Sequence, residues 1–114
     1  MHEASIALSI LGIAENNCRE AGYERVESIR VRVGRASGVL PDALVMAFDI
    51  VKAGTVSENA SLLVDDVPVG GRCRACGQEF TTEDLYILAC PLCGSGDFTV
   101  DSGRELDITE IEVH

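Results

Sequence analysis

The sequence predicts an α/β (α+β) fold in which a three-stranded sheet is covered by two helices and interrupted by an inserted four-cysteine module. Three observations carry this expectation. Apolar residues recur at helical spacing over residues 4–21 and again over 41–54. Strand patterns occupy 28–33, 60–69 and 106–113. Residues 72–97 hold four of the five cysteines and show little periodicity. The order helix, strand, helix, strand, insert, strand buries every apolar face in two layers.

In the first helix, Ala7, Leu11, Ala14 and Cys18 form one line, with Ile6, Ile10 and Ile13 beside it. Gly22 suits the positive φ of a helix terminator. Ile29, Val31 and Val33 then alternate with Ser28, Arg30 and Arg32, the period of a half-buried strand. Gly34 to Gly38 reads as a loop. Pro41 favours a first helical turn and Gly54 a stop, with Leu44, Phe48 and Val51 sharing a face between them. The second strand, Ala60 to Val69, is expected to end at Pro68 and the Gly70-Gly71 pair. In the last strand, Leu106 to Val113, Ile108 and Ile111 are out of phase, which predicts a bulge or an edge position.

A chain of 114 residues is one domain, or one domain with a small insert. Aromatic residues are only 4% and Trp is absent, so the core must be aliphatic. No apolar run approaches the roughly 20 residues of a membrane helix. The formal charge is -10, from 19 acids against 9 bases. Such an acid excess opposes binding to polyphosphate backbones and makes nucleic acid a poor partner. Arg25, Arg30, Arg32 and Arg35 are expected to form a solvated face paired with nearby acids. The start shows no basic segment followed by an apolar one, so a cytoplasmic chain with reduced cysteines is expected.

Cys73-Arg-Ala-Cys76 and Cys90-Pro-Leu-Cys93 are separated by 13 residues, and each is followed at once by glycine. Two thiolates two residues apart grip one ion from a tight turn. The glycine is expected to let backbone amides point at the sulfurs. Four sulfurs at about 2.3 Å satisfy tetrahedral zinc completely and leave no open position, which predicts a structural, zinc-ribbon-like site. Rubredoxin-type iron is the rival metal, with Phe80, Tyr86 and Phe98 as the only aromatics to pack around it. Cys18 lies apart from this set and reads as a core thiol.

The segment Met1-His2-Glu3 carries a different donor set. The His2 imidazole, the residue 2 amide nitrogen and a free α-amine close adjoining chelate rings on one ion. Deprotonated peptide nitrogens suit square-planar Ni(II) or Cu(II). The Glu3 amide completes a nitrogen plane, and its carboxylate supplies charge or an axial oxygen. The initiator Met1 is expected to be retained before His2. His114 reads as a solvated terminal residue.

Taken together, the Met-His-Glu-x-Ser-Ile start, the strand from Ile29 to Gly34, Pro41, the Phe48 helix and the Cys-Pro-x-Cys-Gly knuckle resemble the HypA family of hydrogenase/urease nickel-incorporation proteins over the whole chain. The resemblance implies a metallochaperone that delivers nickel to the large subunit of nickel–iron hydrogenase, and in some organisms serves urease. It implies a nickel site at His2, with Met1 and Glu3 as neighbours, and zinc at Cys73, Cys76, Cys90 and Cys93. It also implies a nickel- and partner-binding α/β domain of residues 1–69 plus 98–114, and a zinc-binding domain of residues 70–97. The accessory GTPase HypB is the implied partner, since this chain has no phosphate-loop sequence of its own. Copper stays open beside nickel on donor chemistry alone.

The competing reading is a zinc-ribbon docking module without nickel function, which leaves Met1-His2-Glu3 unexplained. No nucleophile–base pair or convergent carboxylate motif is present, so no enzyme is expected. A monomer and a homodimer are both open, the latter by strand exchange near residues 68–71.

Overall fold

The fold is built around one strand whose two faces have opposite chemistry. The structure, a computed structural model, describes residues 2–84 and 86–114. Helix α1 (Glu3–Glu20) buries Ala7, Ile10, Leu11, Ala14 and Cys18. Ile13 is exposed, so the second apolar line does not go wholly into the core. The helix stops where Tyr23 N donates to Cys18 O across five residues and Gly22 takes φ 81°.

Strand β1 (Val26–Gly34) follows, with Val26, Ile29, Val31 and Val33 all buried. Helix α2 (Pro41–Val51) has its proline in the first turn and buries Leu44 and Phe48. It leads into strand β2 (Ser61–Val67), which pairs parallel to β1, as a helical crossover requires. The last strand, labelled β6 (Leu106–Val113), pairs antiparallel to β1 on its other side, giving the order β2-β1-β6.

The phase problem in β6 resolves as both expected causes at once. β6 is an edge strand, and its register slips between the pairs Arg30–Glu110 and Val31–Ile108. Thr109 is the extra residue, so Ile108 and Ile111 both turn towards the helices. On the opposite face, Arg30 pairs with Asp65 at 2.9 Å and Arg32 with Asp107 at 2.8 Å. Arg35, just beyond β1, pairs with Asp66 at 3.1 Å. The expected solvated arginine face is present for these three.

The expected end of the second strand needs correction. Pro68 does break it, but the chain continues through both glycines as β3 (Val69–Cys73). This strand is the centre of a second sheet, between β4 (Glu79–Thr82) and β5 (Phe98–Ser102), in the order β4-β3-β5. Gly71 marks a close approach rather than a turn, because a Cβ there would lie 1.9 Å from Thr99 O. Strands β4 and β5 went unpredicted because they are short and rich in Thr, Ser and acids. Each sheet has its own core, one around Ile29, Leu44 and Phe48, the other around Cys73, Phe80 and Cys90. The radius of gyration, 17.4 Å, exceeds the roughly 13 Å of a single compact body this long.

The two sheets meet at a junction of bare backbone. Gly34 N donates to Glu105 O at 2.7 Å, Arg35 N to Val67 O at 2.9 Å and Ala36 N to Gly103 O at 2.7 Å. A Cβ on Gly34 would lie 2.1 Å from Gly103 O. Gly34→Ala should therefore cost about 1–3 kcal/mol or more in urea unfolding, because backbone must move. Gly12→Ala, inside α1 with open space around it, should instead stabilise by about 0.5–1 kcal/mol.

Candidate metal centres

Two turns of the same construction build the four-cysteine centre. In the first, Cys73 N donates to Gln78 O at 3.0 Å and Gly77 N to Cys73 O at 2.9 Å. In the second, Cys90 N donates to Ser95 O at 2.7 Å and Gly94 N to Cys90 O at 2.8 Å. Gly77 and Gly94 take φ 73° and 81°, which closes each turn. The amides aimed at sulfur are Cys76 N on Cys73 Sγ and Leu92 N on Cys90 Sγ, each at 3.4 Å. The glycine amides thus bond to carbonyls and tighten the knuckles, a refinement of the sequence expectation.

The four Sγ atoms lie within 4.8 Å of one another, with Cys73–Cys93 at 3.6 Å and Cys76–Cys90 at 3.9 Å. A tetrahedron of sulfurs bound at about 2.3 Å has edges of about 3.8 Å, so the donor set fits a single tetrahedral ion. Cys73 and Cys90 are buried, while Cys76 and Cys93 face solvent. Burial pushes the Cys90 thiol up, but the N–H groups of Leu92 and Cys93, together with the Cys93 and Cys73 thiols, outweigh it and leave its pKa lowered to about 7. Cys93 receives an N–H from Ser95 that lowers its pKa, yet the sulfurs of Cys73, Cys90 and Cys76, together with burial, push it up to about 12. Four thiolates this close need a cation to exist together.

Phe80 and Phe98 support the centre edge-to-face, with ring centroids 6.0 Å apart, whereas Tyr86 is exposed. Arg72 and Arg74, which flank the first knuckle, are paired with Glu79 at 2.8 Å and Asp97 at 2.6 Å. They are held within the module rather than free for phosphates.

At the other end of the chain, His2 is the N-cap residue of α1 and is exposed. Its Nε2 donates to Gly38 O at 3.2 Å, since a carbonyl can only accept. Glu3 Oε2 accepts from Leu40 N at 3.3 Å. The Leu40 N–H, with Glu3's own N–H, holds the Glu3 carboxyl below the usual range. Met1 lies outside the described residues. Gly38 and Leu40 were not foreseen at this site, because a carbonyl and an amide have no side-chain signature in a sequence. His114 is engaged elsewhere, donating its backbone N–H to Arg25 O at 2.9 Å.

A four-sulfur ribbon joined to a helix-covered sheet defines a metal-binding protein. The family model described as "Hydrogenase/urease nickel incorporation, metallochaperone, hypA" matches residues 1–113. Hydrogenase maturation factor HypA of Solidesulfovibrio magneticus is 41% identical over 116 residues, covering 99% of both chains. That of Streptomyces avermitilis is 39% identical over 112 residues, 97% of this chain and 86% of its own. The solution structure of the Ni metallochaperone HypA from Helicobacter pylori shares the fold with a TM-score of 0.66 at 24% identity, covering 99% of this chain and 97% of that one. A second HypA solution structure aligns with a TM-score of 0.73 at 24% identity, covering 100% and 97%. The chain belongs to the HypA family, whose members are metallochaperones of hydrogenase maturation. Among the described residues, no helix is long and apolar enough to cross a membrane.

Cys90→Ser should abolish tight one-to-one Zn(II) uptake in a chromophoric chelator competition. The second sheet should loosen while the helical circular dichroism persists. Because thiols must lose protons to bind, uptake by the unaltered chain should weaken as pH falls below neutral.

Proposed function

We propose that this chain is a nickel metallochaperone that binds Ni(II) at its amino terminus and helps insert it into the large subunit of nickel–iron hydrogenase. The Ni(II) ligands in this reading come from His2, the Met1 amine and Glu3. Cys73, Cys76, Cys90 and Cys93 hold a structural Zn(II). The partners are the GTPase HypB and the hydrogenase large subunit, with urease maturation proteins as a further route, in the cytoplasm.

The observation that carries this reading is the hydrogen bond from His2 Nε2 to Gly38 O. In the neutral imidazole, that donation leaves Nδ1 bare. Nδ1 is the ring nitrogen that can close a six-membered chelate with the amide nitrogen of the same residue. That amide, like those of the other first helical residues, has no carbonyl to serve within the helix; the first such bond is Ile6 N to His2 O at 2.9 Å. Metal can thus replace a proton there without breaking a helical hydrogen bond. Glu3 supports the same reading as a carboxylate kept charged beside the site.

The division of labour follows from the donors. Planar nitrogen suits Ni(II), while sulfur in a closed tetrahedron suits Zn(II). A delivery site must also release its ion, which an exposed terminus permits and a filled four-sulfur cage does not.

Titration calorimetry of Ni(II) into zinc-loaded chain tests this. Wild type should bind one ion, His2→Ala should lose at least about a hundredfold in affinity, and two residues added before Met1 should do the same. Affinity should also fall from mildly alkaline to mildly acidic pH, since amine, amide and imidazole must all be deprotonated. Binding that survives both changes moves the site elsewhere. No specific nickel binding at all turns the chain into a zinc-ribbon docking module.

A further inference from the structure

We propose that the free edge of β6, with the cleft between it and α1, receives an extended segment of a protein partner as a fourth strand, one that alternates apolar and basic residues. Among the described residues, the sheet order β2-β1-β6 leaves one side of β6 unpaired; that edge carries a bulge at Thr109 and the acids Asp107, Glu110 and Glu112, but neither proline nor lysine. Helix α1 overhangs the same edge. Between them lies a cleft of about 490 Å³ lined by Ile6, Ile10, Ile13, Val31, Leu106 and Ile108. Ile13 and Leu106 are 48% and 43% exposed, although they flank the main core. The cleft continues along the strand past Ile111 and Val113. A strand added at this edge would send every second side chain into that apolar space, as in other cases of strand addition.

The chemistry of its remaining side chains follows from the outer face of the sheet. There Asp65, Asp107 and Glu110 stand against Arg30 and Arg32, while Glu112 stands opposite Ser28. Both guanidiniums are already engaged, Arg30 with Asp65 and Glu110, and Arg32 with Asp107. Glu112 makes no ion pair among the described residues and sits on the edge strand itself. An incoming strand therefore meets an acidic row, which favours Lys or Arg on its outward positions. A second copy of this chain pairing through β6 would set Asp107, Glu110 and Glu112 against the same acids, and like charges across strands are unfavourable. Charge thus selects a basic partner over self-association. The inference does not depend on nickel or on the amino terminus.

The test uses full-length, zinc-loaded protein and two capped eight-residue peptides, in which Val and Ile alternate with Lys in one and with Glu in the other. Binding is followed by amide hydrogen exchange. The Lys peptide should slow exchange along β6 and bind about tenfold more tightly than the Glu peptide, a gap expected from a few cross-strand ion pairs. Ile13→Asn, at a half-exposed position lining the cleft, should weaken binding several-fold with helical circular dichroism retained, and Glu112→Lys should narrow the gap between peptides. Equal binding of both peptides overturns the basic specificity. Absence of β6 protection with either peptide overturns the docking edge. Concentration-dependent dimers that protect β6 without peptide assign the edge to a second copy and overturn the proposal.

Discussion

The rest of the structure hangs on a place where backbones touch with no side chain between them. Gly34 and Gly103 bring the end of β1 against the segment leading into β6, at a separation no Cβ tolerates. Three backbone hydrogen bonds close there, from Gly34, Arg35 and Ala36 to Glu105, Val67 and Gly103. Both chain crossings between the sheets, β2 into β3 and β5 into β6, pass through this point. Without it, the two small sheets would be linked by the two chain crossings and the exposed Arg35–Glu83 ion pair. With it, the direction in which the cysteine ribbon leaves the helical layer is defined by hydrogen bonds.

The same residues continue into the loop that receives the amino terminus. Arg35 pairs with Asp66 and with Glu83 of the ribbon, and Gly38, three residues on, accepts from His2. One short segment therefore touches the ribbon at one end and His2 at the other. The ion pairs are exposed, and such pairs contribute about 0–1 kcal/mol each. The backbone bonds of the junction are the stiffer part of this link. In the proposed reading, a change in the sulfur centre that alters the ribbon would be felt at His2 through the Gly34–Leu40 segment rather than through a packed core, since the two cores are separate.

What was legible in the sequence is what periodicity and paired cysteines encode. Ala7, Leu11, Ala14 and Cys18 on α1, the alternation of Ile29, Val31 and Val33, and the spacing of Cys73, Cys76, Cys90 and Cys93 all declare their faces through side-chain type. The fault in β6 was legible too, because Ile108 and Ile111 cannot share a face without an extra residue between them. The second sheet was not legible. Gly70 and Gly71 look like a turn when they serve close strand packing, and Thr81, Thr82 and Thr99 lack the apolar alternation of a buried strand. Ile13 misled for the complementary reason: it fits the helical stripe but faces an incomplete sheet edge. The partners of His2 and Glu3 were hidden because they are main-chain atoms of a loop 36 and 37 residues away.

In the proposed reading, the sulfur centre and the amino-terminal site differ in how the fold limits exchange, and the difference follows from where their donors come from. Four sulfurs on two facing knuckles need both turns, β3 and the aromatic pair Phe80–Phe98 in register before any ion fits. Losing the ion then means opposing thiols 3.6–3.9 Å apart with no cation between them. At the amino terminus, the proposed imidazole, amide and carboxylate donors belong to consecutive residues, oriented by hydrogen bonds to Gly38 and Leu40. Such a site needs little folding to form and little unfolding to empty. A fold that retains one metal and passes on another would be expected to combine these two constructions, one closed by long-range packing and the other open at the start of a helix.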